Sequence, residues 1–225
     1  MRRLVPFVLL GVLSIGAGLG ALTSFQSSRP TGVDTEYRVQ TCTDIASGSP
    51  VAPLLDTLTL NVPASMAKKI AVYSFSGIET AVAVGPADWK CGILSMPTRQ
   101  SMLLAPKNGS ESSNLMEIVT ATGMDADVLN CPYSDSAVKA VAGQYTEAVA
   151  RAHCTQPSGQ KIIGRSGRYL DIANKATQTE IYGAIGFSSK GETPVARVAV
   201  CASSALGGKF CHDIVSIFKQ ANNIK

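Results

Sequence analysis

The sequence is poor in charged residues, in histidine and in runs of lysine or arginine. Charged residues make up 16% of the 225-residue chain, against about 25% in ordinary soluble domains. Without a basic cluster the chain lacks the electrostatic footprint of a nucleic-acid-binding protein, so we expect no nucleic-acid partner. It has only two histidines, His153 and His212, and both stand beside cysteines, which argues against a Ser-His-Asp triad.

Metal-binding patterns are also scarce. Both histidines stand beside cysteines, as His153-Cys154 and Cys211-His212, but this spacing matches no zinc pattern, and neighbouring side chains point in different directions. Asp125-Ala126-Asp127 has no further acidic ligand at calcium-loop spacing, and we interpret it as a helix-breaking turn after Gly123. We therefore expect exposed histidines, no metal site and no cofactor.

What the chain does have is an N-terminal targeting pattern. Arg2 and Arg3 precede an apolar run from Leu4 to Leu22, which small and polar residues follow. This pattern predicts a signal peptide over residues 1–22, cleaved within 18–24, and hence an exported protein, periplasmic or secreted. The run is nearly long enough to span a bilayer, so an uncleaved, membrane-tethered form stays open. No cysteine precedes Cys42, which excludes a lipoprotein.

Six cysteines predict a disulfide framework, because they are even in number in an exported chain. They are Cys42, Cys91, Cys131, Cys154, Cys201 and Cys211. A helix predicted over 135–152 would be about 25–30 Å long, with Cys131 and Cys154 at its ends, too far apart for a bridge. Cys201 and Cys211 are expected to pair across Gly207-Gly208, leaving Cys42 and Cys91 to pair with the helix ends in an order that stays open.

The hydrophobic pattern predicts an α+β fold: a mainly antiparallel sheet packed against one long central helix and a C-terminal helix, stabilised by disulfides. An extended lead-in over 23–52 would precede a single domain over 53–225. Residues 115–121 fit either a helix or a strand, of which the helix is favoured, and residues 210–221 are predicted to form the last helix. Strands are predicted over 58–62, 70–75, 80–84, 89–95, 101–104, 169–172, 181–187 and 195–201, with a hairpin at Ser76-Gly77.

Catalytic patterns are few. Ser65-Met66-Ala67-Lys68 matches the Ser-x-x-Lys motif of penicillin-recognising serine enzymes, in which one helical turn brings the lysine amine to the serine hydroxyl. The companion motifs are incomplete, since Ser134-Asp135-Ser136 lacks the asparagine and Lys190-Gly191 lacks the threonine. Gly164-Arg165-Ser166-Gly167 lacks the second glycine of a nucleophile elbow. Ser65 and Lys68 are therefore the only candidate catalytic residues for a hydrolase.

One segment is a candidate binding surface. A stretch that contains glycine and serine and precedes a predicted strand carries three basic residues, Lys161, Arg165 and Arg168. Two guanidinium groups beside backbone amides suit a carboxylate, phosphate or sulfate; the alternative is a solvated basic loop. Asn108-Gly109-Ser110 fits the glycosylation acceptor pattern and indicates a surface loop.

The segment from Ala83 to Cys91, followed by Ser101 to Pro106, resembles uncharacterised exported bacterial proteins that carry a Pro-x-x-Trp-x-Cys turn. Here that turn is Pro86 to Cys91, and residues 157–164 and 182–184 are similar to the second half of those proteins. The resemblance implies no activity. On physical grounds Trp89 beside Cys91 suits an aromatic packed near a disulfide, and we interpret the motif as architecture.

Together these patterns favour a non-enzymatic binding or accessory module of the cell envelope or secreted space, with an envelope or extracellular partner of unknown kind. Two alternatives remain. One is a serine hydrolase that acts on a wall or extracellular substrate through Ser65 and Lys68. The other is a membrane-tethered protein that keeps its N-terminal segment, which is the only form expected to contact a membrane.

Overall fold

The computed structural model describes residues 32–75, 81–107, 114–174, 181–190, 193–203 and 207–222. The predicted signal peptide, the glycosylation acceptor at Asn108 and the turn at Ser76-Gly77 lie outside these residues. The strands are β1 Gly32–Gln40, β2 Cys42–Asp44, β3 Pro50–Val51, β4 Thr57–Pro63, β5 Ile70–Phe75, β6 Ala81–Pro86, β7 Trp89–Ser95, β8 Arg99–Pro106, β9 Asn114–Thr122, β10 Gln160–Ser166, β11 Tyr169–Asn174, β12 Ile181–Lys190 and β13 Thr193–Ser203.

The helices are short. They are α1 Met124–Asn130, α2 Asp135–Ala142, α3 Glu147–Cys154 and α4 Gly208–Ala221, with a 3₁₀ turn over Cys131–Tyr133. The fold is therefore mainly β, and a single long central helix is absent from the part of the chain that the structure describes. No helix within the described ranges is both long and apolar enough to cross a membrane.

Four strands form a small mixed sheet in the order β4-β1-β5-β6. β1 runs antiparallel to β4 along Gly32 to Arg38, and its last residues run parallel to β5, with Val39 opposite Val72. β5 and β6 are mostly apolar and are buried throughout, as expected of strands covered on both faces. Their predicted positions are confirmed, whereas β1 was not predicted.

Nine strands form the large sheet, in the order β10-β11-β12-β13-β9-β8-β7-β2-β3. All neighbours are antiparallel except β2 and β7. The prediction of a helix over 115–121 is wrong, because this segment is the interior strand β9, paired with β13 on one side and β8 on the other. A short apolar run that is buried on both faces carries no helical or strand period to distinguish the two.

The large sheet is covered on both faces. One face packs against α4 and the small sheet through side chains that are almost fully buried: Met102, Leu104, Met116, Ile118, Ile214 and Phe218. The opposite face packs against the short helices through a second cluster: Val119, Ile172, Ile185 and Val198, with Leu129, Tyr133 and Phe187 beside them. The predicted helix over 210–221 is confirmed as α4, which lies between the two sheets.

The predicted helix over 135–152 is wrong, because the chain breaks into α2 and α3. Its start is confirmed at Ser134, whose extended backbone precedes the first helical residue. Gly143 ends α2, and Thr146 takes an extended conformation before α3 begins. Glycine is a poor helix former and threonine is favoured at helix starts, so this pair overrides the continuous apolar spacing.

The break between α2 and α3 explains one of the three disulfides. Because α3 folds back on α2, Cys131 and Cys154 are bridged with their Cα atoms 4.8 Å apart, and the prediction that they cannot pair is wrong. Cys42 and Cys91 are bridged to each other rather than to the helix ends, since they lie on the adjacent strands β2 and β7. The predicted bridge between Cys201 and Cys211 is confirmed.

The segment Asp125-Ala126-Asp127 lies in a helix instead of breaking one. Gly123 has φ +58°, a conformation that glycine adopts without strain, and α1 starts at the next residue. Asp125 and Asp127 lie in its first turn, where carboxylates interact favourably with the helix dipole. The predicted turn over 125–127 is therefore wrong.

Candidate anion-binding site

The predicted basic segment forms one strand and the turn of a hairpin. β10 and β11 pair from Gln160 opposite Asn174 to Ser166 opposite Tyr169, which leaves Gly167 and Arg168 as a two-residue turn. Gly167 has φ +60°, so a glycine at this turn avoids backbone strain. The Arg168 carbonyl accepts a hydrogen bond from the Phe187 backbone N–H at 3.4 Å, which ties the turn to β12.

A cleft of about 590 Å³ opens beside this turn, on the face of the sheet that the short helices cover. Arg165 and Arg168 supply its positive charge, and Tyr133 and Phe187 supply its aromatic surface. Its other polar side chains are Asn130, Ser134, Ser188 and Ser189. We call this space the arginine cleft.

Strand register determines which cations reach the arginine cleft. Arg165 stands opposite Leu170 and Lys161 opposite Ala173, and residues opposite each other in antiparallel strands share a face. Leu170 lies on the helix side of the sheet, as does the cleft it lines, whereas Ala173 lies on the other side. The structure therefore brings Arg165 and Arg168 together, while Lys161 is not among the lining residues.

The charge of the arginine cleft is uncompensated. Its lining, as far as the structure describes it, contains no aspartate or glutamate. Neither Arg165 nor Arg168 forms an ion pair or a side-chain hydrogen bond with the described residues. Both are exposed at the cleft wall, so their guanidinium donors are available to a ligand.

Tyr133 is held in place from two directions. It follows the disulfide-bonded Cys131 in the 3₁₀ turn, and its hydroxyl oxygen accepts a hydrogen bond from Gln160 Nε2 at 2.7 Å. Burial raises the pKa of the Tyr133 phenol, so it stays protonated at neutral pH. Its hydroxyl hydrogen remains free to donate, which suits an anion rather than a cation.

A second cleft, of about 430 Å³, lies on the opposite face of the same hairpin. It shares Arg168 with the arginine cleft and adds Ser166, Ser216 and Lys219. Lys219 Nζ lies 2.6 Å from Asp171 Oδ1, with both side chains mostly buried. Because this pair neutralises Lys219, the arginine cleft has the stronger unbalanced charge.

The Ser-x-x-Lys segment lies in irregular turns between β4 and β5 rather than in an α-helix. Ser65 and Lys68 are both exposed, and none of the hydrogen bonds among the described residues joins them. Neither residue lines the four clefts described for this chain. The contact that would activate Ser65 as a nucleophile, a hydrogen bond from its hydroxyl to the Lys68 amine, is thus not formed.

The two histidines lie at the surface, whereas Trp89 is buried near a disulfide. His153 and His212 are exposed, and among the described residues no cluster of three histidine, cysteine or acidic side chains could hold a metal. Trp89 is buried two residues before Cys91, which is bridged to Cys42. The Tyr73 hydroxyl donates to the Trp89 carbonyl at 3.3 Å.

Several lining residues of the arginine cleft carry no sequence signal. Asn130, Tyr133, Ser188 and Ser189 come from the helix cluster and from β12, far from Arg165 in the chain. Only the pairing of β11 with β12 and the packing of the 3₁₀ turn against the sheet bring them together. Nothing in their local pattern distinguishes them from ordinary surface residues.

Comparisons with known proteins return no match: no family model, no curated protein and no solved structure is significantly similar to this chain.

Proposed function

We propose that this protein is a non-enzymatic binding module of the cell envelope or secreted space, and that it binds a small anion in the arginine cleft. One observation carries the proposal: Arg165 and Arg168 line the same cleft, and neither is neutralised by the described residues. Three disulfides suggest an oxidising compartment, because such bridges persist there.

The chemistry of the arginine cleft favours carboxylate, phosphate or sulfate groups. Guanidinium groups donate paired, charge-assisted hydrogen bonds to such oxygens. Serine hydroxyls and the Asn130 amide add neutral donors, and the protonated Tyr133 adds another. A volume of about 590 Å³ falls in the usual range of small-molecule sites, so the ligand can be larger than the anionic group itself.

Binding rather than catalysis is supported by what surrounds the arginines. No histidine, cysteine, aspartate or glutamate is among the described lining residues of the arginine cleft. A histidine or carboxylate base that could activate the serine hydroxyls of the cleft is therefore missing from this lining. The cleft has the donors to hold an anionic group without the groups needed to transform it.

The test is calorimetric titration of the full-length, disulfide-bonded protein with inorganic phosphate, sulfate and citrate at low ionic strength. We expect saturable binding of at least one anion that weakens as salt is raised. The double variant Arg165→Ala/Arg168→Ala should weaken that binding by at least about tenfold, because both charge-assisted contacts are lost.

The matched control is Arg38→Ala, which removes an exposed arginine from β1 and should leave binding unchanged. Lys161→Ala separates the cleft from the basic segment as a whole, since Lys161 does not line the cleft. Absence of saturable binding by any of the three anions, or equal binding by the double variant, would overturn the proposal.

A further inference from the structure

β10 is an unusually open edge of the large sheet. It is seven residues long, contains no proline and pairs on one side with β11, while its other side meets no strand in the described part of the chain. The opposite edge is β3, two residues long and beginning with Pro50. Short strands and proline are common ways to block an edge against pairing; β10 has neither, and its protection is limited to Lys161 and a β-bulge at Ile163.

The same strand exposes two adjacent isoleucines. Ile162 is 46% and Ile163 53% exposed, and Ile163 is the most exposed large apolar side chain in the described ranges. Between Ile162 and Gly164 the register shifts, so that Ile163 is the extra residue of a β-bulge. Apolar side chains on an open edge are the features that an incoming strand covers.

The charges of β10 select the occupant. Lys161 and Arg165 flank the isoleucines, the strand contains no acidic residue, and neither cation is ion-paired within the described residues. A second copy of this chain would be repelled, because antiparallel self-pairing brings together two strands that each carry both cations and no acidic side chain. An acidic strand would instead place carboxylates opposite these cations.

We infer that the free edge of β10 is a docking strand for an extended, acidic segment of a partner protein. The segment adds to the large sheet as a further strand through backbone hydrogen bonds. Its apolar side chains cover Ile162 and Ile163, and its carboxylates pair with Lys161 and Arg165. This inference goes beyond anion binding and does not rest on it: the two sites share Arg165, whereas Lys161, Ile162 and Ile163 lie outside the arginine cleft.

The probe is a capped peptide as long as β10, with glutamates three residues apart and valines between them, so that its carboxylates fall on both faces; it is added to the full-length, disulfide-bonded protein. Affinity is measured by fluorescence anisotropy, and hydrogen exchange locates the contact. We expect slowed amide exchange within residues 160–166. Lys161→Glu should weaken binding by about tenfold, since it turns an attraction into a repulsion.

The controls separate the edge from other sites. Lys68→Glu reverses an exposed lysine in the turn between β4 and β5 and should change nothing. Arg168→Ala alters the arginine cleft but not β10, and should also leave peptide affinity unchanged. A matched peptide with lysine in place of each glutamate should not bind.

Four outcomes would overturn the inference. Unchanged exchange over 160–166 would place the peptide elsewhere. Equal binding of the lysine peptide would remove charge selection. Equal weakening by Arg168→Ala and Lys161→Glu would assign the peptide to the arginine cleft. A concentration-dependent dimer in sedimentation, with β10 amides protected as it forms, would identify a second copy as the occupant.

Discussion

The side chain of Asn222 pairs with the backbone of Val82 in both directions. Asn222 Oδ1 accepts the Val82 N–H at 2.8 Å, and Nδ2 donates to the Val82 carbonyl at 2.7 Å. Val82 lies on β6, at the edge of the small sheet, so this amide occupies the position that the backbone of a neighbouring strand would take. Asn222 also accepts a hydrogen bond through its carbonyl from Tyr169 of the large sheet, at 2.7 Å.

Asn222→Ala should destabilise the protein by about 2–4 kcal/mol, because it leaves two buried backbone groups of Val82 without partners. Unfolding in urea measures this loss. The matched control is Asn61→Ala, which removes an exposed hydrogen bond to Asp34 and should cost less than about 0.5 kcal/mol. Similar losses for the two variants would contradict the structural role of Asn222.

Alkaline pH should destabilise the fold through two buried tyrosines. Burial raises the pKa of Tyr73 and Tyr169 to about 12, from an ordinary value of 10.0. The unfolded chain ionises first, so the stabilisation is complete below about pH 10 and is lost as the pH rises to about 12. The loss approaches about 3 kcal/mol for each tyrosine.

Urea unfolding at steps across this pH range measures how steeply the free energy of unfolding falls as the pH rises. The double variant Tyr73→Phe/Tyr169→Phe should show a shallower decline, although not a flat one, since burial also raises the pKa of Tyr37 and Tyr133. A decline as steep as in the wild type would show that other groups cause it.

Gly183→Ala should destabilise the large sheet by about 1–3 kcal/mol through overpacking. A Cβ atom at Gly183 would lie 2.9 Å from the Ala199 carbonyl oxygen and 2.9 Å from Ile172 Cγ1. The control is Gly164→Ala in β10, where the nearest atom would be 3.5 Å away. Thermal unfolding of the two variants compares them directly, and an equal change in both would contradict the prediction.

Removing the bridge between Cys131 and Cys154 as Cys131→Ala/Cys154→Ala should cost about 3 kcal/mol, since it frees a loop of 23 residues in the unfolded chain. Hydrogen exchange should increase most in α2 and α3. Mass analysis of a non-reduced digest checks the pairing itself: a fragment linking Cys42 to either Cys131 or Cys154 would contradict the structure.

Strands with a visible boundary could be predicted from the sequence. β4 alternates and ends at Pro63, β5 is a β-branched and aromatic run, and β12 and β13 are long enough to show their type. The segment from Leu115 to Ala121 could not be assigned, because its strand state depends on hydrogen bonds to β8 and β13 rather than on its own pattern. Those partners lie far away in the chain.

The helix break shows a different limit. Apolar residues continue at helical spacing through Gly143 and Thr146, so periodicity alone predicts one helix. Val138 and Val149 belong to that apparent apolar face yet are 37% and 39% exposed. The local cost of glycine and the closure by Cys131 and Cys154 decide the outcome, and the second of these is a tertiary contact.

For the arginine cleft, the sequence predicted Arg165 and Arg168 from residue type and neighbourhood. It could not separate them from Lys161, because the face that each side chain takes depends on the bulge and register of β10. The neutral donors of the cleft depend on strand order, which no local pattern encodes.

The connection between α2 and α3 is exposed at every residue from Ala142 to Val149, and it lies inside the loop that Cys131 and Cys154 close. Exposed connections are preferred sites of proteolytic nicking. A protease that cuts there would produce two polypeptides that stay covalently joined. The nicked molecule would run as a single band without reductant and separate into two fragments only after reduction, so a cut at this place severs the chain without releasing either part.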